Sequence, residues 1–253
     1  MILLLQNTND RPATWLHQQL AARSVYVVQV TVDEILTSKQ FSLQMTEGQY
    51  RSAITLQRGL VIESEKVQAV INRIQYLPAL FESTFKKQDA EYVNQEWYAM
   101  LLSWLHSLQP KVLFNEAAPT GMAGERYNNQ EWMMMAAKAG FSVLPYWHDH
   151  RQGETIDAAP VEEARIQSLI AYDGAIFPAS PHEPLPASLT APVHDLQRQA
   201  GAQLLGLQLL VTPNDTYFIS ATTFPILSEG GEALVSRIRQ TIQQKQTITH
   251  PVS

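Results

Sequence analysis

The sequence predicts an α/β protein in two parts. Three observations carry that reading. An apolar run, Ile2 to Leu5, is followed by a helical stretch and then by a second apolar, β-branched run, Val25 to Val32. Two strong helical patterns occupy the middle of the chain, and a helix, a hairpin and a final helix follow from Val193. A strand–helix–strand unit of roughly thirty residues marks a parallel pair joined by a crossover. At 253 residues and 45% hydrophobic content, the chain has material for one large domain or two small ones.

The elements follow in order. Asn9-Asp10 and Pro12 start the first helix, where a proline's missing N–H costs little, and Trp15, Leu16, Leu20 and Ala21 recur at helical spacing. Asp33-Glu34 opens the next element, Phe41 to Leu60 alternates as a hairpin, and Val67 to Ile74 is a strand delivering Asn72 and Arg73. Asp89 to Leu108 is the clearest helix, with Trp97, Leu101, Trp104, Leu105 and Leu108 on a broad apolar face and Pro110 as its stop. Val112 to Phe114 reads as a short strand leading to Asn115, Tyr127 to Ala139 as a helix ended by Gly140, and Phe141 to Leu144 as a strand. From Tyr146 to Pro192 prolines break the pattern, and the regular candidates are a helix near Val161 to Leu169 and a strand at Gly174 to Phe177. A helix at Val193 to Leu204, a hairpin of Gln208 to Val211 with Thr216 to Ile219, and a helix at Glu232 to Gln244 complete the chain. The change of texture near Tyr146 is the expected domain boundary.

Composition narrows the function. A net charge of −6 disfavours nonspecific nucleic-acid binding, which needs Lys and Arg against phosphates. The chain has no cysteine, so disulfides, thiolate metal sites and cysteine nucleophiles are excluded. The Met1-Ile-Leu-Leu-Leu start has no basic flank and turns polar at Gln6, too short for a signal peptide or a membrane span. A soluble cytoplasmic protein is expected, with no nucleic-acid or membrane partner.

Several passages together resemble one family. Ile71-Asn72-Arg73 with Tyr76-Leu77-Pro78, the helix from Asp89, Leu113-Phe114-Asn115, then Asn129, Ala136, Ala139-Gly140-Phe141 and Pro145 run in its order. The ending, Leu196 to Ile238, includes Tyr217 to Pro225 and then Glu229-Gly230-Gly231-Glu232. This order resembles the ATP-grasp superfamily, in its RimK-like and glutathione-synthetase-like branch. The resemblance implies an N-terminal pre-ATP-grasp (Rossmann-like) domain over residues 1–145 and a reduced ATP-grasp core remnant over residues 146–253. It also implies an ancestral ligase that joins a carboxylate to an amine through an acyl phosphate, using ATP and magnesium.

The departures concern chemistry. Where the family carries a Glu and an Asn that hold magnesium, the matching positions read Ser220 and Thr222. The hairpin position of its metal-binding acid reads Gln208 or a neighbour, Leu207 or Leu209. A hydroxyl is a poor substitute for a carboxylate on a hard dication. No lysine lies between Lys138 and Lys245, where the family uses two to hold phosphates. The stretch from Pro145 to Val193 is short for the family's lid, and its Gly-rich loop is missing, Gly153 and Gly174 standing alone.

Other candidates have plainer readings beside them. Asn72-Arg73 and Asn115-Glu116 sit at carboxyl ends of strands, where open α/β sheets bind ligands; Arg73 suits a carboxylate or phosphate, or else ties two loops together. His148 and His150 would share a face on a strand and suit zinc or iron with Glu154 or Asp157, against a polar loop entry. No HExxH spacing supports them, and no metal is expected. His182-Glu183 reads as an oriented base or as proline-rich loop, and Gly121 to Gly124 as an anion-binding loop or a plain turn. Trp132 to Met135 reads as core with one exposed methionine, and the Trp97, Tyr98 and Trp104 group as core or as the anchor of a homodimer.

The expected function is a noncatalytic binding or accessory protein, a pseudoenzyme without cofactor, in peptide or small-molecule tailoring. It would bind a protein or peptide partner, a small acid or a partner ligase around Asn72, Arg73, Asn115 and Glu116. The alternative is an active carboxylate–amine ligase in which Arg151, Arg165 and Arg198 replace the lysines and Asp195 or Asp215 holds magnesium with ATP. A third reading is a metal enzyme built on His148 and His150.

Overall fold

The computed structural model describes residues 1–46, 49–78, 86–144, 146–149, 153–156, 164–180 and 185–249. Its contacts group into two units, Met1–Glu125 with Val235–Ser253, and Arg126–Leu234.

In the first unit, β1 (Ile2–Gln6) is buried at all five positions. That fits a central strand of a parallel sheet, which is covered on both faces. α1 (Arg11–Ala22) starts at Asp10, whose carboxylate accepts from the Ala13 N–H at 3.0 Å. β2 (Val28–Thr31) pairs parallel with β1, Leu3 opposite Val28. It runs straight into α2 (Val32–Leu36), because Thr31 and Glu34 cap each other's backbone in a capping box. An antiparallel meander follows, β3 (Gln40–Thr46), β4 (Gln49–Thr55) and β5 (Val61–Glu63), one strand more than the expected hairpin. β6 (Ala69–Arg73) lies on the other side of β1, with Leu5 opposite Asn72 and Gln6 opposite Arg73. α3 (Lys87–Ser107) buries Leu101, Trp104 and Leu105 with Leu3, Val70, Ile54 and Ile62. Trp104 meets Phe41 edge-on at 6.2 Å and donates its indole N–H to Ser52 Oγ at 3.1 Å.

Val112 to Phe114 is not a strand. One isolated bridge joins Val112 to Val70, with the Leu113 N–H donating to the Val70 carbonyl at 2.9 Å. The turn at Gln109–Lys111 delivers the chain so late that no ladder forms before the buried Asn115.

The second unit opens with α4 (Asn129–Ala139), capped reciprocally by Asn128 and Glu131 and ended by Gly140 at φ +95°. β7 (Ser142–Val143) follows, then a small hairpin of β8 (Tyr146–Asp149) and β9 (Gly153–Ile156). β10 (Arg165–Tyr172) and β11 (Ala175–Pro178) form an antiparallel pair, then come α5 (Thr190–Gln199), β12 (Leu204–Val211) and β13 (Thr216–Thr222). The sheet order is β11-β10-β12-β13-β7, antiparallel except for β7 against β13. The division of the sequence at Tyr146 falls inside this unit. β7 pairs with β13, and α4 buries Trp132 and Ala136 in the same cluster as Leu205 and Phe218. α6 (Gly231–Thr249) begins here and continues into the first unit, where Lys245 donates to the Pro110 carbonyl at 2.8 Å.

Two boundaries differ from the sequence reading. Arg165 to Leu169, expected as the end of a helix, is strand. Gln167 and Leu169 are buried while Ile166 is 64% exposed, a period of two that pairing with β12 enforces. Leu204, expected to end a helix, starts β12, because Gly201 at φ +59° turns the chain out of α5. No helix among the described residues is long and apolar enough to cross a membrane.

The sheet of the second unit is covered on one face by α4 and α5, through Trp132, Val193 and Leu196 against Leu205, Leu207 and Leu209. On the other face Pro225 sits on Gly206. A Cβ added there would lie 2.7 Å from Pro225 Cβ and 3.2 Å from Thr222 Cγ2. Gly206→Ala is therefore expected to destabilise the fold by about 1–3 kcal/mol. Thermal denaturation followed by circular dichroism checks this; an unchanged midpoint contradicts the packing of Pro225 on β12.

Candidate functional site

At the carboxyl ends of β1 and β6 the structure gathers Asn7, Asp10, Asn72 and Arg73. Arg73 is 1% exposed, and its Nε donates to Asp10 Oδ2 at 2.8 Å. Burial pulls its pKa below the ordinary arginine value, opposed by the hydrogen bond and charge of Asp10. Asn72 donates to the Met122 carbonyl at 2.6 Å and accepts from the Ile74 N–H at 3.1 Å. Asn7 accepts from the Gln75 N–H and donates to the Tyr76 carbonyl, each at 2.7 Å. Asn115 is buried and Glu116 is exposed. Of the four predicted residues, three are buried and one faces solvent. The sequence reading did not connect Asn7 and Asp10 to this cluster. Their only signal was an Asn-x-x-Asp immediately after an apolar strand, which also reads as a plain helix start.

The second place is the face of the five-stranded sheet opposite α4 and α5. β12 and β13 shift register between Gln208 and Leu209. Gln208 pairs with Ser220 and Leu209 with Phe218, leaving Ile219 as an extra residue. The bulge turns Phe218 into the core, fully buried, and Ser220 to the opposite face. Ser220 Oγ donates to Gln208 Oε1 at 3.1 Å. Leu207 and Leu209 are buried in the core cluster, so of the three hairpin candidates Gln208 alone shares a face with Ser220. Ser168 stands opposite Gln208 on β10, which makes a neutral polar row of Ser168, Gln208 and Ser220 across three strands. Thr222 lies beside it, exposed, and its hydroxyl accepts from the Phe224 N–H at 3.0 Å.

Of the residues of the alternative reading, the described ones, Asp195, Arg198, Asp215 and Arg165, do not join this row. Asp195 is held by Arg198 at 2.7 Å, and both ride on α5, whose buried Val193 and Leu196 pack on the opposite face of the sheet. Asp215 lies in the β12–β13 turn, where it accepts from Tyr217 Oη at 3.3 Å. Its negative charge, first among the causes, raises the Tyr217 pKa. Arg165 is the exposed first residue of β10. On the small hairpin, the register sets His148 opposite Glu154. His150, Arg151, Asp157, His182 and Glu183 lie outside the described residues. Among the described residues no group of three or more His, Asp or Glu could hold a metal ion. Gly121 to Gly124 contains a bridge from Gly121 back to Ala118 and a left-handed Gly124, a plain turn.

This order of sheet, helices and hairpin recurs in solved structures, end to end. The macrocyclase MdnC of Microcystis aeruginosa MRC, bound with precursor peptide MdnA, matches with a TM-score of 0.74 at 14% identity, covering 96% of this chain and 99% of that one. The macrocyclase MdnB of the same organism matches at 0.68 and 16% identity, covering 98% and 97%. A Chryseobacterium gregarium RiPP-associated ATP-grasp ligase, in complex with ADP and a leader and core peptide, matches at 0.69 and 12% identity, covering 99% and 97%.

The fold is that of the ATP-grasp ligases.

D-Alanine-D-alanine ligase of Helicobacter pylori is more distant, at a TM-score of 0.52 and 10% identity. No protein-family model matches the sequence, and no curated protein sequence does. At these identities the likeness is one of fold. The residues on the sheet face decide what chemistry this ATP-grasp fold carries. A hard dication would call for carboxylates, and the row supplies two neutral hydroxyls and one amide carbonyl.

The Asp10–Arg73 pair gives a direct test of the first cluster. Asp10→Ala strands a buried cation and removes the cap of α1. The expected loss is about 3–5 kcal/mol for the broken buried pair. Asp10→Asn keeps an acceptor for the Ala13 N–H and separates the cap, worth about 1 kcal/mol, from the ion pair. Urea denaturation of both variants checks this, and a loss below 1 kcal/mol for Asp10→Ala refutes a tightly engaged pair.

Proposed function

We propose that this chain is a noncatalytic binding or accessory protein built on the ATP-grasp fold, derived from the RimK-like branch, with a peptide as its partner. The observation that carries the proposal is the neutral row of Ser168, Gln208 and Ser220, closed by the 3.1 Å hydrogen bond between the last two. A catalytic member needs a magnesium cradle on that face and cations for the polyphosphate. The lysine-free stretch from Ala139 to Gln244 supports their loss. So does the position of Arg198, which is spent on Asp195 on the far side of the sheet.

The peptide partner is supported by those neighbours in fold that were solved with precursor, leader or core peptides. In this reading Asn72, Arg73 and Asn115 shape the strand ends from inside. Glu116 is the residue of the four that a ligand would meet from solvent.

Titration calorimetry with ATP and magnesium tests the proposal. No saturable heat is expected up to millimolar nucleotide. Ser220→Glu combined with Thr222→Asn restores the side chains that the family resemblance implies. It is expected to add magnesium affinity without ATP turnover, since the phosphate cations are still missing. Micromolar ATP binding by the unaltered chain, or ATP hydrolysis coupled to ligation of a peptide, overturns the proposal.

A further inference from the structure

Among the described residues, β3 is an unguarded sheet edge. Among the described residues, the other outer strands of the three larger sheets are short: β2 has four residues, β6 five, β5 three, β11 four with a terminal Pro178, and β7 two. β3 has seven, Gln-Phe-Ser-Leu-Gln-Met-Thr, without a charge or a proline. Long, uncharged edges pair with other strands, and proteins ordinarily blunt them with lysine, proline or shortness.

Its backbone orientation follows from the neighbouring strand. The Ser52 N–H donates to Ser64 Oγ at 3.0 Å, on the β5 side, so the Leu43–Ser52 pair is a non-hydrogen-bonded one. The N–H and C=O of Leu43 therefore face the open edge, and those of Phe41 and Met45 follow at period two. On the same three residues the side chains are apolar. Phe41 packs on Trp104, whereas Leu43 is 37% and Met45 67% exposed, opposite Tyr50 at 53%. The apolar face of this sheet thus runs out into solvent towards the hairpin tip.

We propose that β3 pairs antiparallel with β3 of a second copy of this chain, across a two-fold axis at Leu43. The strand is self-complementary about that point. Leu43 meets Leu43 of the other copy, and Phe41 meets Met45 in both directions on one face. No like charges are brought opposite each other. The two meanders then form one six-stranded sheet with a continuous apolar stripe. This is an isologous contact, the commonest kind in dimers. A contact of one strand pair is small, so association is concentration-dependent.

Sedimentation velocity of the full chain over a concentration series is the test. The expected result is a shift from 28.5 kDa towards twice that mass as concentration rises. Met45→Lys, at an exposed position, is expected to return the chain to monomer with an unchanged circular dichroism spectrum. Leu43→Cys in this cysteine-free chain is expected to give a covalent dimer on oxidation, because opposed residues of an antiparallel pair lie within disulfide reach. Tyr26→Cys, at an 81% exposed position outside β3, is the control and is expected to give none. The inference is overturned by a monomer at every concentration. It is equally overturned by a dimer that survives Met45→Lys and resists crosslinking through Leu43→Cys, or by a monomer that takes an extended peptide along β3 instead.

Discussion

One extra residue in β13 governs the second unit. With the register of Gly206 to Gln208 continued, Ile219 would face Leu209 in the core and Phe218 would point outward. The bulge at Ile219 reverses this. Phe218 packs against Phe141 at 5.7 Å under α4, and Ser220 is freed to reach Gln208 on the other face. A bulge disrupts the ladder locally, and burying a phenylalanine offsets that disruption with about 1.5–3 kcal/mol of hydrophobic stabilisation. The packing of one face and the chemistry of the other are thus set by the same backbone irregularity.

The buried and the exposed ion pairs differ in what they do. Arg73 and Asp10 form a buried pair whose carboxylate also caps α1, joining the ends of β1 and β6 to the first helix. Asp195 and Arg198 pair on the surface of α5, where such a contact adds little to stability. The sheet face between β10 and β13 carries hydroxyls and an amide in a row. Unpaired charge is what a triphosphate and its metal require of a protein, and neither a free carboxylate nor a lysine stands in that row.

How far the sequence discloses this depends on whether the deciding contact is local. β1, α1 and β2 are legible because burial on both faces gives β1 an unbroken apolar run and Asp10 caps its own neighbour. The ion pair to Arg73 spans 63 residues and leaves no periodic trace, so Arg73 reads equally well as a ligand or as a tie. β10 misleads because its polar Gln167 and Ser168 follow acidic residues of helical type; only its partners β11 and β12 make it a strand. Ser220 and Thr222 can be located from the Phe224-Pro225 turn that follows them. The choice among Leu207, Gln208 and Leu209 cannot, since it rests on the register across the hairpin, and no glycine marks the bulge at Ile219.

The Gln208–Ser220 contact lets the polar row satisfy itself without an ion. A carboxylate at either position would find no cation in the row, whose members are all neutral, although at the exposed Gln208 water would solvate it. With both positions neutral, one hydroxyl and one amide satisfy each other at 3.1 Å without any ion. On the proposed noncatalytic reading, the row is held by a hydroxyl and an amide that satisfy each other, and is not defined by one missing residue.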